Sequence, residues 1–219
     1  MSDTIVAPAT PGGRGGVGIV RLSGKKAAVI GRKLCGDLDE PWKFKRCNIL
    51  DLDQVEIDSG LVVLFKSPKS YTGEDVLEIH CHGNPVLINK IIGASVACGA
   101  RMARPGEFTE RAFLNNKIDL AQAESVSDLI LAQSTEATKA ALSSLKGDFS
   151  IKINSAIDRL TLLRVRLEAS LDFPDEEVEE QTVSEMIASL KKEVSLLSAL
   201  LESSERGSLL REGFKVSII

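Results

Sequence analysis

The sequence has 219 residues, of which 43% are hydrophobic and 26% charged, with a formal net charge of −4. That is enough apolar material for one large or two modest domains with real cores. There is no run of about eighteen apolar residues, and the start, MSDTIVAPAT, has neither the basic region nor the apolar stretch of a secretory leader, so membrane insertion and secretion are not indicated and the cytoplasm is the expected compartment.

Read from the N-terminus, short apolar segments alternate with turn signals. TIVA (4–7) and GVGIVRLSG (16–24) are expected strands, KKAAVIGRKLCG (25–36) an expected helix, and DSGLVVLFKSP (58–68) and EDVLEIHCHG (74–83) further strands. A second helix is expected from Pro85 to about Cys98, and PGG, SPKS and HGNP mark the turns between elements. The pattern changes near Ile118. From Asp119 the sequence reads as helix, with Asp119 and Gln122 as a capping box ahead of Leu120, Ala123, Val126 and Ile130. A second stripe runs through Phe149, Ile153, Ile157, Leu160, Leu163, Leu167 and Leu171. Pro174 is expected to break that helix, and Thr182 with Glu185 to cap a last one carrying Val183, Met186, Leu190, Val194, Leu197 and Leu201. The expected fold class is therefore an α+β N-terminal domain followed by an all-α bundle segment, and stripes of this kind ordinarily form core rather than a cofactor site.

Charge follows the same division. Residues 1–118 hold sixteen Lys and Arg against thirteen Asp and Glu, a net of +3, and residues 119–219 hold eleven against eighteen, a net of −7. The acidic half is a poor phosphate binder, so any nucleic-acid contact is expected on the first half, although that half shows no dense basic cluster in sequence. Cys35, Cys47, Cys81 and Cys98 include no C-x-x-C pair, which argues for reduced, packed thiols rather than a zinc ribbon or disulfide framework.

Three stretches carry candidate chemistry. Gly13, Gly15 and Gly18 have G-x-G-x-x-G spacing, but they lead into the β-branched run Val17, Ile19 and Val20 instead of opening a helix, so a hairpin or loop is expected, with Arg14 and Arg21 beside it available to an anion. In EDVLEIHCHG a period of two puts Glu78, His80 and His82 on one face and Leu77, Ile79 and Cys81 on the other. The H-x-H pair has no evident third ligand, so no metal site is expected. Glu78, a carboxylate on a mostly apolar strand, needs either a neighbouring Arg or Lys or a ligand with paired N–H donors. Finally, Arg104, Glu107, Glu110, Arg111 and Lys117 form a charge run ahead of the helical half, read either as a solvated face or as one side of a binding cleft.

TPGGRGGVGIVRLSG, SYTGEDVLEIHCHG, GARMARPGEFTERAFLNNKIDLAQAE, LDFPDEE and GSLLREGFKV, in this order and over essentially the whole chain, resemble the MnmE (TrmE) family of bacterial tRNA-modification GTPases. The resemblance implies a tetrahydrofolate-binding and dimerisation domain at 1–118, similar in fold to the folate-binding part of an aminomethyltransferase. It further implies the first part of a helical domain at 119–213 and, at 214–219, the opening of a first G-domain strand, with KVSII as that strand. An edge strand docked on the first domain is the other reading of KVSII. Folate contacts carry over to Arg21, Glu78 and Lys117, with 5-formyl- or 5,10-methylene-tetrahydrofolate as the cofactor and no catalytic residue assigned. Two positions depart from the family pattern around the pocket, Gly12 in place of a proline and Asn84 in place of a glycine. No G-x-x-x-x-G-K-[ST] occurs, so GTP with its magnesium and potassium ions is expected to belong to a G domain outside these residues, and the chain to be inactive on GTP. The implied partners are a second copy, the FAD-dependent MnmG in a heterotetramer, and tRNA through that complex. The implied reaction adds a (carboxymethyl)aminomethyl group to C5 of the wobble uridine, U34. A stand-alone folate-dependent aminomethyltransferase and a non-enzymatic dimerisation scaffold are the alternatives.

Overall fold

The computed structural model describes residues 3–172 and 180–212. The chain divides into two units, Met1–Ile118 and Asp119–Ile219. The expected break at Pro174 and the expected strand at 214–219 lie outside the described residues.

The first unit is a mixed sheet with two helices packed on one face, the α+β architecture expected. Its strands are β1 (Thr4–Pro8), β2 (Gly15–Ser23), β3 (Lys45–Leu50), β4 (Glu56–Phe65), β5 (Val76–Gly83) and β6 (Ala100–Met102), in the order β3-β4-β5-β2-β1-β6. All neighbours are antiparallel except β1 and β6, which run parallel. Helices α1 (Ala27–Cys35) and α2 (Pro85–Ala97) cover one face of this sheet, and α3 (Glu107–Leu114) follows β6. The core between sheet and helices is built from alternate strand positions, Val20, Leu22, Leu77, Ile79 and Cys81, meeting Ile30, Leu34, Ile88 and Ile91 of the two helices. The period-two reading of β5 thus holds residue by residue, because every second side chain enters this layer.

Glycine has a steric reason in β2. A Cβ on Gly18 would lie 2.8 Å from Ile88 Cδ1 and 3.2 Å from Gly83 Cα, so this position lets α2 and β5 close on the strand. The glycine-rich segment accordingly enters a strand, not a helix. Asn84 is extended, and its side chain accepts from the Val86 N–H at 2.9 Å, capping α2 with Pro85 in its first turn. The departure from the family pattern at this position therefore supplies a cap.

In the second unit, α4 (Leu120–Leu131) starts at the expected capping box, with Asp119 Oδ1 accepting from Gln122 N and Gln122 Oε1 accepting from Asp119 N, both at 2.9 Å. A separate helix that the stripes do not single out follows, α5 (Thr135–Leu145), capped by Ser134 and tied to α4 by a hydrogen bond from Gln122 Nε2 to the Leu145 carbonyl. The long helices are α6 (Asp148–Asp172) and α7 (Glu180–Glu212), joined by the Arg159–Glu193 ion pair. Helix α7 is already under way at Glu180, two residues before the expected cap at Thr182, in keeping with the good helix propensity of the Glu and Gln that open it. Among the described residues no helix is long and apolar enough to cross a membrane.

Candidate functional site

The sheet face opposite α1 and α2 carries two of the expected site residues, Arg21 and Glu78. Register sets Arg21 of β2 directly across from Glu78 of β5. Arg21 Nε donates to Glu78 Oε1 at 2.8 Å, the Nη2 of the same guanidinium lies 2.8 Å from that oxygen as an ion-pair contact, and His80 Nε2 lies 3.2 Å from Oε2. The Glu78 side chain is only 14% exposed, so its charge is held in a largely dry setting where an unpaired carboxylate would be costly. A carboxylate offers about four lone-pair sites, and these contacts do not fill all of them. Glu78 is thus salt-bridged to Arg21 and retains acceptor capacity.

Aromatic rings frame the pair. The Arg21 guanidinium lies 5.7 Å from the Tyr71 ring centroid and 5.8 Å from that of Phe108, within cation–π range of both. Phe44 packs edge-on to His80 at 5.2 Å, and Trp42 edge-on to Phe65 at 5.4 Å. Trp42, Phe65, Lys69, Ser70, Tyr71, Val76 and Glu78 enclose an open cleft of about 250 Å³. The sequence pattern does not single out these rings, although it holds a signal: the chain has one tryptophan and one tyrosine, and both line this cleft.

Lys117 is not in contact with the Arg21–Glu78 pair. Its Nζ donates to the Pro68 carbonyl at 3.0 Å, and its stem lies against Gly73, where a Cβ would come within 3.3 Å of Lys117 Cγ. Asn115 donates to the Thr72 carbonyl at 2.7 Å, and the Tyr71 and Thr109 hydroxyls are 2.9 Å apart. Together these contacts fasten the 66–75 segment, which supplies Lys69, Ser70 and Tyr71 to the cleft, onto α3 and the residues just after it. Arg21 and Glu78 thus meet directly, and Lys117 reaches the cleft through the segment it holds.

The charge run around α3 is not simply a solvated face. Glu107 and Arg111 are buried: Arg111 donates to Glu74 Oε2 at 2.9 Å, Asp3 Oδ1 at 2.8 Å and Glu107 Oε1 at 3.2 Å. Arg101 donates to both Glu107 oxygens, at 2.8 and 2.6 Å. The Arg101 guanidinium, with the Arg104 N–H and Arg111, outweighs burial and holds the Glu107 carboxyl down at about 2. Spacing of four residues on one helix face puts Glu107 and Arg111 together, while Arg104 and Glu110 form an outer pair at 2.8 Å.

The two histidines of H-x-H take different partners. His82 Nδ1 lies 2.8 Å from Asp58 Oδ1, and the His82 N–H donates to Asp58 Oδ2 at 2.8 Å, whereas His80 faces Glu78. Among the described residues no group of three or more His, Cys, Asp or Glu side chains is arranged to hold a metal ion.

Comparison with known proteins covers both units. Residues 4–117 match the family model described as GTP-binding protein TrmE N-terminus, and residues 120–215 match the MnmE helical domain. Similar curated relatives are the proteins named tRNA modification GTPase MnmE from Francisella tularensis subsp. tularensis (strain WY96-3418), 49% identical over 99% of this chain and 48% of the relative, and from Francisella tularensis subsp. novicida (strain U112), 48% identical over the same shares. The protein of the same name from Francisella philomiragia subsp. philomiragia is also 48% identical over these shares. The chain spans about half the length of the curated relatives it matches.

Proposed function

The chain belongs to the MnmE (TrmE) family, and from that premise we propose that its first unit is the one-carbon cofactor module of a tRNA-modification GTPase, binding a tetrahydrofolate derivative beside Arg21 and Glu78. The observation that carries this reading is the Glu78 carboxylate at the edge of a cleft lined by Trp42, Phe65 and Tyr71. A pterin is a flat heterocycle with adjacent ring and amino N–H donors. Aromatic walls suit its faces, and a carboxylate with spare acceptor capacity suits its edge. At about 250 Å³ the cleft is below the usual range for a whole ligand, about 300–1,000 Å³, so it fits the ring system while the acidic tail extends outward, where Lys69 is exposed. A bidentate contact to Glu78 requires Arg21 to release Oε1, and a single hydrogen bond does not. Lys117 serves the cofactor through the 66–75 segment and, if that segment opens, directly.

When bound, the folate supplies one carbon, in the 5-formyl or 5,10-methylene state. With the FAD-dependent MnmG, that carbon enters the (carboxymethyl)aminomethyl group placed on C5 of U34 in certain tRNAs. The protein acts as a homodimer joined through residues 1–118, in a heterotetramer with MnmG in the cytoplasm. GTP, magnesium and potassium belong to the half of the relatives' length that this chain does not span. The single tryptophan offers a direct test: titration with 5-formyl-tetrahydrofolate is expected to quench Trp42 emission saturably, and an emission that does not respond would remove the cofactor from this cleft.

A further inference from the structure

The cations of the first unit differ in their partners, and some of them, Lys69 and Lys117 near the cleft included, form no salt bridge among the described residues. On the open sheet face and around α3, Arg21, Lys66, Arg101, Arg104 and Arg111 are each paired with a carboxylate. On the helix layer the situation is reversed. Lys25, Lys26, Arg32 and Lys33 precede or lie on α1, and Lys90 lies on α2; all five are exposed, and none forms a salt bridge among the described residues. Neither helix contains an acidic residue. The sequence has no Asp or Glu from Thr4 to Gly36, and none from Ile79 to Gly106.

The fold turns these separate, sparse segments into one surface. Ala27, Ala28, Ile30, Gly31, Leu34 and Cys35 turn toward the sheet, so the cations of α1 are left on its outer stripe at spacings of seven and eight residues. Helix α2 packs beside α1 on the same sheet face, and the Lys26 ammonium reaches its C-terminal turn, 2.9 Å from where a Gly99 Cβ would stand. Gly93, exposed on α2 with nothing within 4 Å of its Cβ position, adds no steric barrier beside Lys90.

We infer that the outer face of α1 and α2 is a docking surface for an RNA phosphodiester backbone. Unpaired lysines exchange condensed counterions for phosphates without first giving up a protein carboxylate, and the release of those counterions drives much of the affinity for a nucleic acid. An anionic membrane is the less suitable partner, since the large exposed side chains here are the valines Val29, Val86 and Val96, with no aromatic or leucine anchor of the kind a membrane-surface helix inserts. The second unit, at a net of −7, repels the same ligand. The inference rests on the tRNA-directed reading of the family and adds to it the surface that meets the RNA.

The test is fluorescence anisotropy of a labelled, unmodified tRNA transcript titrated with the whole chain from 50 to 200 mM salt, for wild type, the triple variant K25A/K33A/K90A and the arginine counterpart K25R/K33R/K90R. Wild type is expected to bind with a log–log salt slope, the alanine variant to lose about 2 from that slope, at about 0.7 per phosphate contact, and about tenfold or more in affinity. The arginine variant is expected to retain both. Equal slopes and affinities for wild type and the alanine variant would overturn the inference, as would binding to phosphatidylserine vesicles with none to RNA. Folate titration of the same samples separates the two readings. Folate binding without RNA binding defeats this surface alone, and lysine-dependent RNA binding without folate binding defeats the cofactor reading alone.

Discussion

The two units bury their apolar residues in different ways. In the first, strand alternation sends Leu22, Leu77 and Ile79 to complete burial beneath two helices. In the second, the stripes are as regular, yet the buried apolar positions among the described residues are Ala141 and Ala156, while Leu160, Leu167, Val194 and Leu197 are exposed and Leu163 is half-buried. Regular periodicity therefore specifies which face of an element is apolar, not whether that face is covered. A sheet closes its own core once helices dock on it, whereas a helix stripe depends on how many neighbours it meets.

The sharpest way to break this contrast is to truncate one leucine in each unit. Leu77→Ala, at a fully buried position, is expected to cost about 2–5 kcal/mol and to lower the denaturation midpoint of the first unit. Leu167→Ala, at a side chain 52% exposed, is expected to stay within about 0.5 kcal/mol. Comparable losses measured by denaturant melts would show that the stripe of α6 is core after all.

Acid titration follows in size, with its largest contribution at Glu107 of the first unit. The Glu107 carboxyl is held at about 2 by Arg101, against 4.5 ordinarily. On acidification the unfolded chain takes up this proton first. The stabilisation is therefore complete above about pH 4.5, falls as pH drops toward 2, and amounts to about 3 kcal/mol. Glu107→Gln is expected to flatten the dependence in that window. An unchanged acid limb in urea melts of the variant would mean that the Arg101–Glu107–Arg111 cluster carries no such linkage.

What is legible in the sequence follows from the same physics. EDVLEIHCHG discloses both faces of β5, and the Asp119–Gln122 box discloses the start of α4, because each signal is local. Strand β3 escapes notice because its inward residues, Cys47 and Ile49, lie between Lys45, Arg46 and Asn48 on a sheet edge. Helix α3 escapes it because the side it buries holds Glu107 and Arg111, whose pairing with Asp3, Glu74 and Arg101 is long-range. Helix α5 carries small residues, with Ala141 its buried one, and so shows no large apolar stripe. At the candidate site, Glu78 is visible as a carboxylate out of place and Arg21 as an available cation. Their pairing, the framing rings of Tyr71 and Phe108, and the attachment of Lys117 to Pro68 depend on strand register and on the course of the 66–75 segment, which no local pattern encodes.

Calorimetry of 5-formyl-tetrahydrofolate binding to the wild-type chain and to Glu78→Gln tests the central claim, that this largely buried carboxylate is what the cofactor recognises. The variant preserves shape and removes charge. Loss of a charge-assisted contact is expected to weaken binding about ten- to hundredfold, equivalent to about 1.5–3 kcal/mol. An affinity equal to wild type would contradict the account and leave the Arg21–Glu78 pair as a structural bridge across the sheet.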